Sequence, residues 1–251
     1  MKKICSLFFV ALFSFSTLFM LSACGDKNDN SDNNNLSQTQ ETDYSKASSF
    51  EELRTMAFDD VSRTIESLET QYNSLTTKIN TIELYCSKIN EVKSFYDTIV
   101  CETENICINM LEASLGYAEY IMSTTVETEN KYDALDHIYE DIYNDALDLI
   151  DEKIYNDLID NMSDFYWEGI IEDAYENDLI SYEKYNEIDE QEYEWISNTE
   201  TNVYEAITDA ETYIDEFITN LENALIDDDL ITANEKIRDF KQIIKSLKNN
   251  R

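Results

Sequence analysis

Proline is absent from the 251 residues, and Gly25, Gly116 and Gly169 are the only glycines. The turns of sheets and phosphate-cradling loops usually require those residues, so neither can be built here in number. No G-x-S-x-G elbow, P-loop or dinucleotide fingerprint is present. Histidine occurs once, at His137. A helical di-iron site wants two Glu-x-x-His helices, and the chain has no such motif. Most catalytic signatures are excluded on these grounds, and the expectation is a protein that is not an enzyme and needs no cofactor.

Positive charge is scarce as well: 18 Lys and Arg stand against 54 Asp and Glu, a formal net charge of −36. The imbalance is uneven. Residues 127–231 hold 34 acids against Lys131, Lys153 and Lys184, whereas residues 232–251 hold six basic residues against Glu235 and Asp239. The body is a polyanion with a cationic tail. Like charges within a Debye length of about 8 Å repel, which argues against nucleic acid and anionic headgroups as partners of the body. Cationic peptides, basic proteins and divalent cations remain. Such charge can signal disorder, but the Ile, Leu, Tyr and Phe content suffices for a core, so a folded domain over 50–251 is expected.

The chain begins with Lys2 and Lys3, continues through an apolar middle, Leu7 to Leu21, and reaches the small residues Ser22 and Ala23 before Cys24. That layout is expected of a signal peptide over 1–23. Leu21-Ser22-Ala23-Cys24 resembles the lipobox of bacterial lipoproteins. The resemblance implies cleavage before Cys24, diacylglycerol on its sulfur and, in many bacteria, a further acyl chain on its amine. Two or more chains anchor durably where one binds marginally. The expected location is therefore extracytoplasmic, lipid-anchored to the cell membrane. Residues 24–49 are polar and Asn-rich, with too few apolar side chains to offset ordering, and read as a disordered tether with a reach of about 25 Å.

Val61, Ile65, Leu68, Tyr72, Leu75, Ile79, Ile82, Cys86 and Ile89 fall at alternating steps of four and three, a coiled-coil seam. A second seam runs through Ile196, Thr199, Val203, Ala206, Ala210, Tyr213 and Phe217, widened by Ile207, Ile214 and Leu221 to meet two neighbours. Corners are expected at NDLISYEK and DDLITANEK, with Ser181 and Thr232 as N-caps, Glu235 completing a capping box with Thr232, and Ile180 and Tyr185 spaced as a hydrophobic staple. A third corner lies near 123–128, where Thr124 and Glu127 offer another box. Near 98–104 the pattern fits either a turn or a bent, continuous helix. Helices over 50–97, 105–122, 127–177, 181–227 and 232–249 follow. The fold class is all-α, an elongated up-and-down helical bundle with coiled-coil-like seams. It broadly resembles the helical envelope lipoproteins of Gram-positive bacteria, though no motif in 50–251 carries a family's site across.

Candidate sites are few. Asp133, His137 and Asp141 share a helical face, with Glu140 nearby, and offer part of a metal site; a surface histidine among carboxylates accounts for the same pattern. Asp227, Asp228 and Asp229 place three carboxylates at a helix C-terminus, where the dipole is already negative, so a cation or a basic side chain is called for. Cys86, Cys101 and Cys107 are left once Cys5 departs with the signal and Cys24 is acylated. Cys86 lies on the first seam and should be a buried thiol; a Cys101–Cys107 bridge within one straight helix would span about 9 Å and is excluded. Tyrosines among acids, in YEDIYND and YEKYNEIDEQEYEW, suit either bundle edges or the grip of cationic or glycan partners, and Trp167 and Trp195 read the same way. Arg238, Lys241, Lys245 and Lys248 run beside an apolar set, Ile237, Phe240, Ile244 and Leu247, so the tail should dock on the bundle and neutralise it. The leading functional expectation is a non-catalytic envelope lipoprotein presenting a polyanionic surface to proteins or cationic peptides, with divalent-cation binding or buffering as the alternative. An envelope enzyme is the third reading, opposed by the missing motifs.

Overall fold

The computed structural model describes residues 42–123, 128–138 and 144–249, and no strand occurs among them. The protein is an all-α helical bundle. Its helices are α1 (Phe50–Lys78), α2 (Ile82–Ser123), α3 (Thr128–Ile138), α4 (the run 145–176), α5 (Tyr182–Ile226) and α6 (Leu230–Asn249). The 45 residues of α5 extend about 68 Å and set the long axis. No helix among the described residues is long and apolar enough to cross a membrane.

Helix α2 is central, packing on α1, α3, α5 and α6. Its middle is buried nearly all round, from Ile106 to Ala118, because four neighbours leave it little solvent-facing side. Two buried hydroxyls of α2, Thr103 and Ser114, donate to the carbonyls of Ile99 and Met110 one turn back, so their burial leaves neither hydroxyl stranded. The segment 98–104 is continuous helix; of the two sequence readings the bent or unbroken one holds. The departure from helical geometry lies at Lys88 instead (φ −125°, ψ 20°).

The first expected helix, 50–97, is in fact two. It breaks at Ile79–Thr81, where Ile79 is fully buried and the Thr81 hydroxyl accepts from Leu84 N–H as the cap of α2. Apolar spacing runs through the break, which hid it: Leu75, Ile79 and Ile82 keep the steps of a single seam. The new helix starts in a new phase and buries Tyr85 while exposing Cys86, so the expectation of a buried Cys86 thiol is corrected. Cys107 is the buried thiol of the pair.

The folded part also starts earlier than Phe50. Tyr44 lies in a short 3-10 turn, Tyr44–Lys46, with its ring buried and its hydroxyl donating to Asp60 at 2.8 Å. Gly116 makes room for it: a Cβ there would stand 2.9 Å from the Tyr44 Cβ. The polar stretch expected as tether through residue 49 is thus docked from Tyr44 onward. Ser49 then caps α1 by accepting from Glu52 N–H, and the Glu52 carboxylate accepts in return from Ser48.

Helix α4 has an unusual winding. Ala146, Ile150, Ile154, Leu158, Met162, Tyr166, Ile170 and Ala174 recur at every fourth residue, and all are buried. In an α-helix a step of four overshoots a turn by about 40°, so eight such positions would wind about 280° around it. The chain avoids this by alternating α-helical turns (Asp145–Ile150, Asp160–Ser163, Asp173–Glu176) with wider π-helical ones (Asp151–Ile159, Asp164–Glu172). Taking more residues into each turn keeps the stripe on one side.

Two corners close alike and restart differently. At each, an Asp in left-handed conformation, Asp178 (φ 57°) or Asp228 (φ 53°), follows the helix end. Leu179 N–H and Asp229 N–H then reach back to the carbonyls of Ala174 and Ala224, while Asp178 N–H and Asp228 N–H bond those of Tyr175 and Leu225. Both are Schellman endings. After the first, Ser181 caps α5, accepting from Lys184 N–H, as its sequence suggests. After the second there is no spacer: Asp229 itself caps α6, accepting from Thr232 N–H at 3.0 Å and from the Thr232 hydroxyl. The expected Thr232 cap is corrected by three residues, because a carboxylate poised at the start of the helix takes the amide first. The Thr124–Glu127 corner lies outside the described residues.

Helix α6 docks by its apolar face, with Ile237, Phe240 and Ile244 buried and the Phe240 ring stacked on Phe217 at 3.9 Å between centroids. Its basic side meets α2: Lys241 pairs with Glu119 at 3.2 Å and Lys248 with Glu112 at 2.6 Å. The tail is an amphipathic cation laid over an acidic helix.

Candidate functional site

Cys24 and Asp141 lie outside the described residues. Asp133 and His137 are exposed on α3, with the His137 ring 6.4 Å from that of Phe50. No group of three or more His, Cys, Asp or Glu among the described residues is placed to hold a metal ion. The carboxylates of 227–229 have architectural work instead. Asp227 ends α5, Asp228 takes the left-handed turn, and Asp229 caps α6, its hydrogen bonds from Thr232 holding its pKa below the usual carboxylate range. A negative charge at the N-terminus of α6 offsets the unfavourable one at the end of α5.

Between α1 and α4 lies an open groove of about 560 Å³. Glu51 and Asp59 line it from α1, and Asp145, Asp148 and Glu152 from α4, around a floor of Phe58 and Leu149. Among the described lining residues Arg54 is the one cation, paired with Asp145, and Lys153 beside the groove pairs with Glu152 at 2.9 Å. Phe58 is 41% exposed, a large ring left facing water among carboxylates. A second cavity, about 360 Å³, opens beside Tyr44 and contains Glu112 and Glu119, but there the chain supplies its own counterion in Lys241.

Deeper in the bundle sits a cluster that sequence patterns did not single out. Glu192, on α5, is fully buried. Tyr96 donates to its Oε1 at 2.8 Å and Tyr85 to its Oε2, the two tyrosines coming from either side of the Lys88 distortion in α2. Tyr166 of α4 completes the group, with its ring 5.5 Å from that of Tyr85 and its hydroxyl buried with no hydrogen-bond partner among the described residues. Burial raises the Glu192 pKa, against the two tyrosine hydrogen bonds that lower it. Burial and then the Glu192 charge raise Tyr85 and Tyr96, so both stay protonated and donate. The partners lie 96 and 107 positions apart in sequence, and the one local signal was the four-residue stripe that buries Tyr166.

No protein-family description, curated protein or solved structure matches the chain. The functional reading therefore rests on its own surfaces.

Proposed function

We propose that the protein is a non-catalytic lipoprotein of the bacterial envelope that presents its acidic bundle to cationic peptides or proteins, with the α1–α4 groove as the docking place. One observation carries the reading: five carboxylates line the groove together with the half-exposed Phe58, and the pairs Arg54–Asp145 and Lys153–Glu152 leave Glu51, Asp59 and Asp148 in excess among the described residues. A lysine- or arginine-rich segment with an adjacent apolar side chain matches both features, since carboxylates attract the charge and Phe58 offers an aromatic face. The chain's own α6 illustrates the mode, with apolar residues inward and lysines on acidic neighbours. Leu21-Ser22-Ala23-Cys24 supplies the anchor, and the stretch between Cys24 and Tyr44 holds the domain off the bilayer.

The test is calorimetric titration of the full mature chain with an amphipathic lysine-rich peptide at low and high salt. Binding should weaken with salt, and the Asp145→Asn, Asp148→Asn, Glu152→Gln triple variant should lose about tenfold or more in affinity, with smaller losses for equal neutralisation on the far face of α5. Equal losses from both faces would reduce the groove to one part of a diffuse polyanion. The anchor is checked separately by fatty-acid labelling, present in the wild type and absent in Cys24→Ala.

A further inference from the structure

Glu192 has capacity that its present partners do not use. A carboxylate offers about four lone-pair sites to donors, and Tyr85 and Tyr96 take one oxygen each. Tyr166, its ring 5.5 Å from that of Tyr85, feels the Glu192 charge and holds a buried hydroxyl with no hydrogen-bond partner among the described residues. The groups facing this centre are Tyr85 and Tyr96 from α2 and Tyr166 from α4. Further out, Tyr72 of α1 and Glu91 of α2 act on Tyr166, and Cys86 acts on Tyr85. None is a cation. Tyr166 also belongs to the wide-turn segment Asp164–Glu172, where the backbone hydrogen-bond register is not fixed by regular α-helical spacing.

We propose that Glu192 and Tyr166 form a proton-operated latch between α5 and α4: neutral Glu192 is held by Tyr85 and Tyr96 alone, its own O–H donating to one of the two tyrosine oxygens, and when its proton leaves to solvent both tyrosines donate and the Tyr166 hydroxyl turns in as a third donor. The balance is one proton released, one hydrogen bond reversed in direction and one formed, with no other reactant. Burial supplies the poise by disfavouring the charged carboxylate. Because the folded-state pKa is raised, the native chain holds the proton above the ordinary glutamate range of about 4.3. The stability contribution is therefore complete below that range and falls as pH rises through the Glu192 value. Tyr166 limits this loss by stabilising the ionised form. Self-repulsion of the polyanion has the same sign, but salt screens the surface charges far more than a buried carboxylate.

The experiment uses the full chain at high salt, in a Trp167→Phe background so that Trp195 reports alone; its ring stands 6.5 Å from that of Tyr96 and it lies one turn beyond Glu192. Trp195 fluorescence followed from about pH 4 to about pH 9 should show one titration with its midpoint above the ordinary glutamate range. Glu192→Gln should abolish it, and Tyr166→Phe should move the midpoint upward by about one pH unit or more, the size of a hydrogen bond to a charged group. As a second reading that needs no change at Tyr166, amides 164–172 should gain hydrogen-exchange protection through the same midpoint. A titration that survives Glu192→Gln, or a midpoint unmoved in Tyr166→Phe with no change in protection, overturns the latch.

Discussion

Asp60 and Glu192 are both carboxylates buried in one bundle, and each accepts from tyrosine, yet they are held by different physics. Asp60 takes the Tyr44 hydroxyl on one oxygen and Arg63, one turn along α1, on the other. The Arg63 side chain is 52% exposed, so its guanidinium keeps a foot in water while its charge compensates the buried carboxylate. Glu192 has hydroxyls only, and no cation pairs with it among the described residues. Hydroxyl donors satisfy its oxygens without cancelling its charge, so burial dominates and its ionisation is pushed to higher pH. The comparison teaches that hydrogen-bond satisfaction and charge compensation are separate requirements. A carboxylate that meets only the first, as Glu192 does, is left responsive to protons.

The largest expected effect breaks the Glu192 half. Glu192→Ala strands the hydroxyls of Tyr85 and Tyr96 and opens a void, and urea denaturation at neutral pH should show a loss of about 3–4 kcal/mol. Glu192→Gln keeps the shape and two polar atoms while removing the buried charge, so it should cost far less. Equal losses would mean that the negative charge itself stabilises the cluster.

Next in size is Asp60→Ala, which leaves the Tyr44 hydroxyl without its acceptor while Arg63 turns to water. About 1–3 kcal/mol should be lost, confined to docking of the segment before α1. Limited proteolysis near Tyr44 should accelerate while the main unfolding transition moves little. A fall in the main transition as large as that of Glu192→Ala would show that the two carboxylates are equally central.

The smallest effect concerns a carboxylate that is not buried. Asp229→Ala removes the cap of α6 and should lower stability by about 1 kcal/mol, whereas Thr232→Ala leaves the Asp229 carboxylate on the Thr232 amide and should cost less. Thermal melts of the two variants decide the order. A larger loss from Thr232→Ala would return the cap to the threonine.

Helicity was legible because two independent signals agreed: apolar residues at helical spacing, and the near absence of residues that build turns. The corner at Ser181 was legible for a local reason, a hydroxyl three residues ahead of an amide it can accept from. The break at Ile79–Thr81 was not, since the apolar steps pass through it and Leu84 stands where a capping box would have Glu or Gln. The same continuity placed Cys86 on the wrong face. In the candidate groove each carboxylate was visible as part of an acidic excess, but Glu51 and Asp59 come from one helix and Asp145, Asp148 and Glu152 from another nearly a hundred residues on.

The sequence by itself determined the all-α class, the acidic body with its basic amphipathic tail, and the two Leu-Ile corners, because each depends on interactions within a few turns of one helix. Tertiary structure alone decided which carboxylates face water and which lie inside. Glu192 and its neighbours Glu190 and Glu194 are chemically the same residue, two of them exposed and one with no solvent contact at all. What separates them is the arrival of Tyr85, Tyr96 and Tyr166 from two other helices, and burial, unlike helical propensity, is set by neighbours brought near only when the chain has folded.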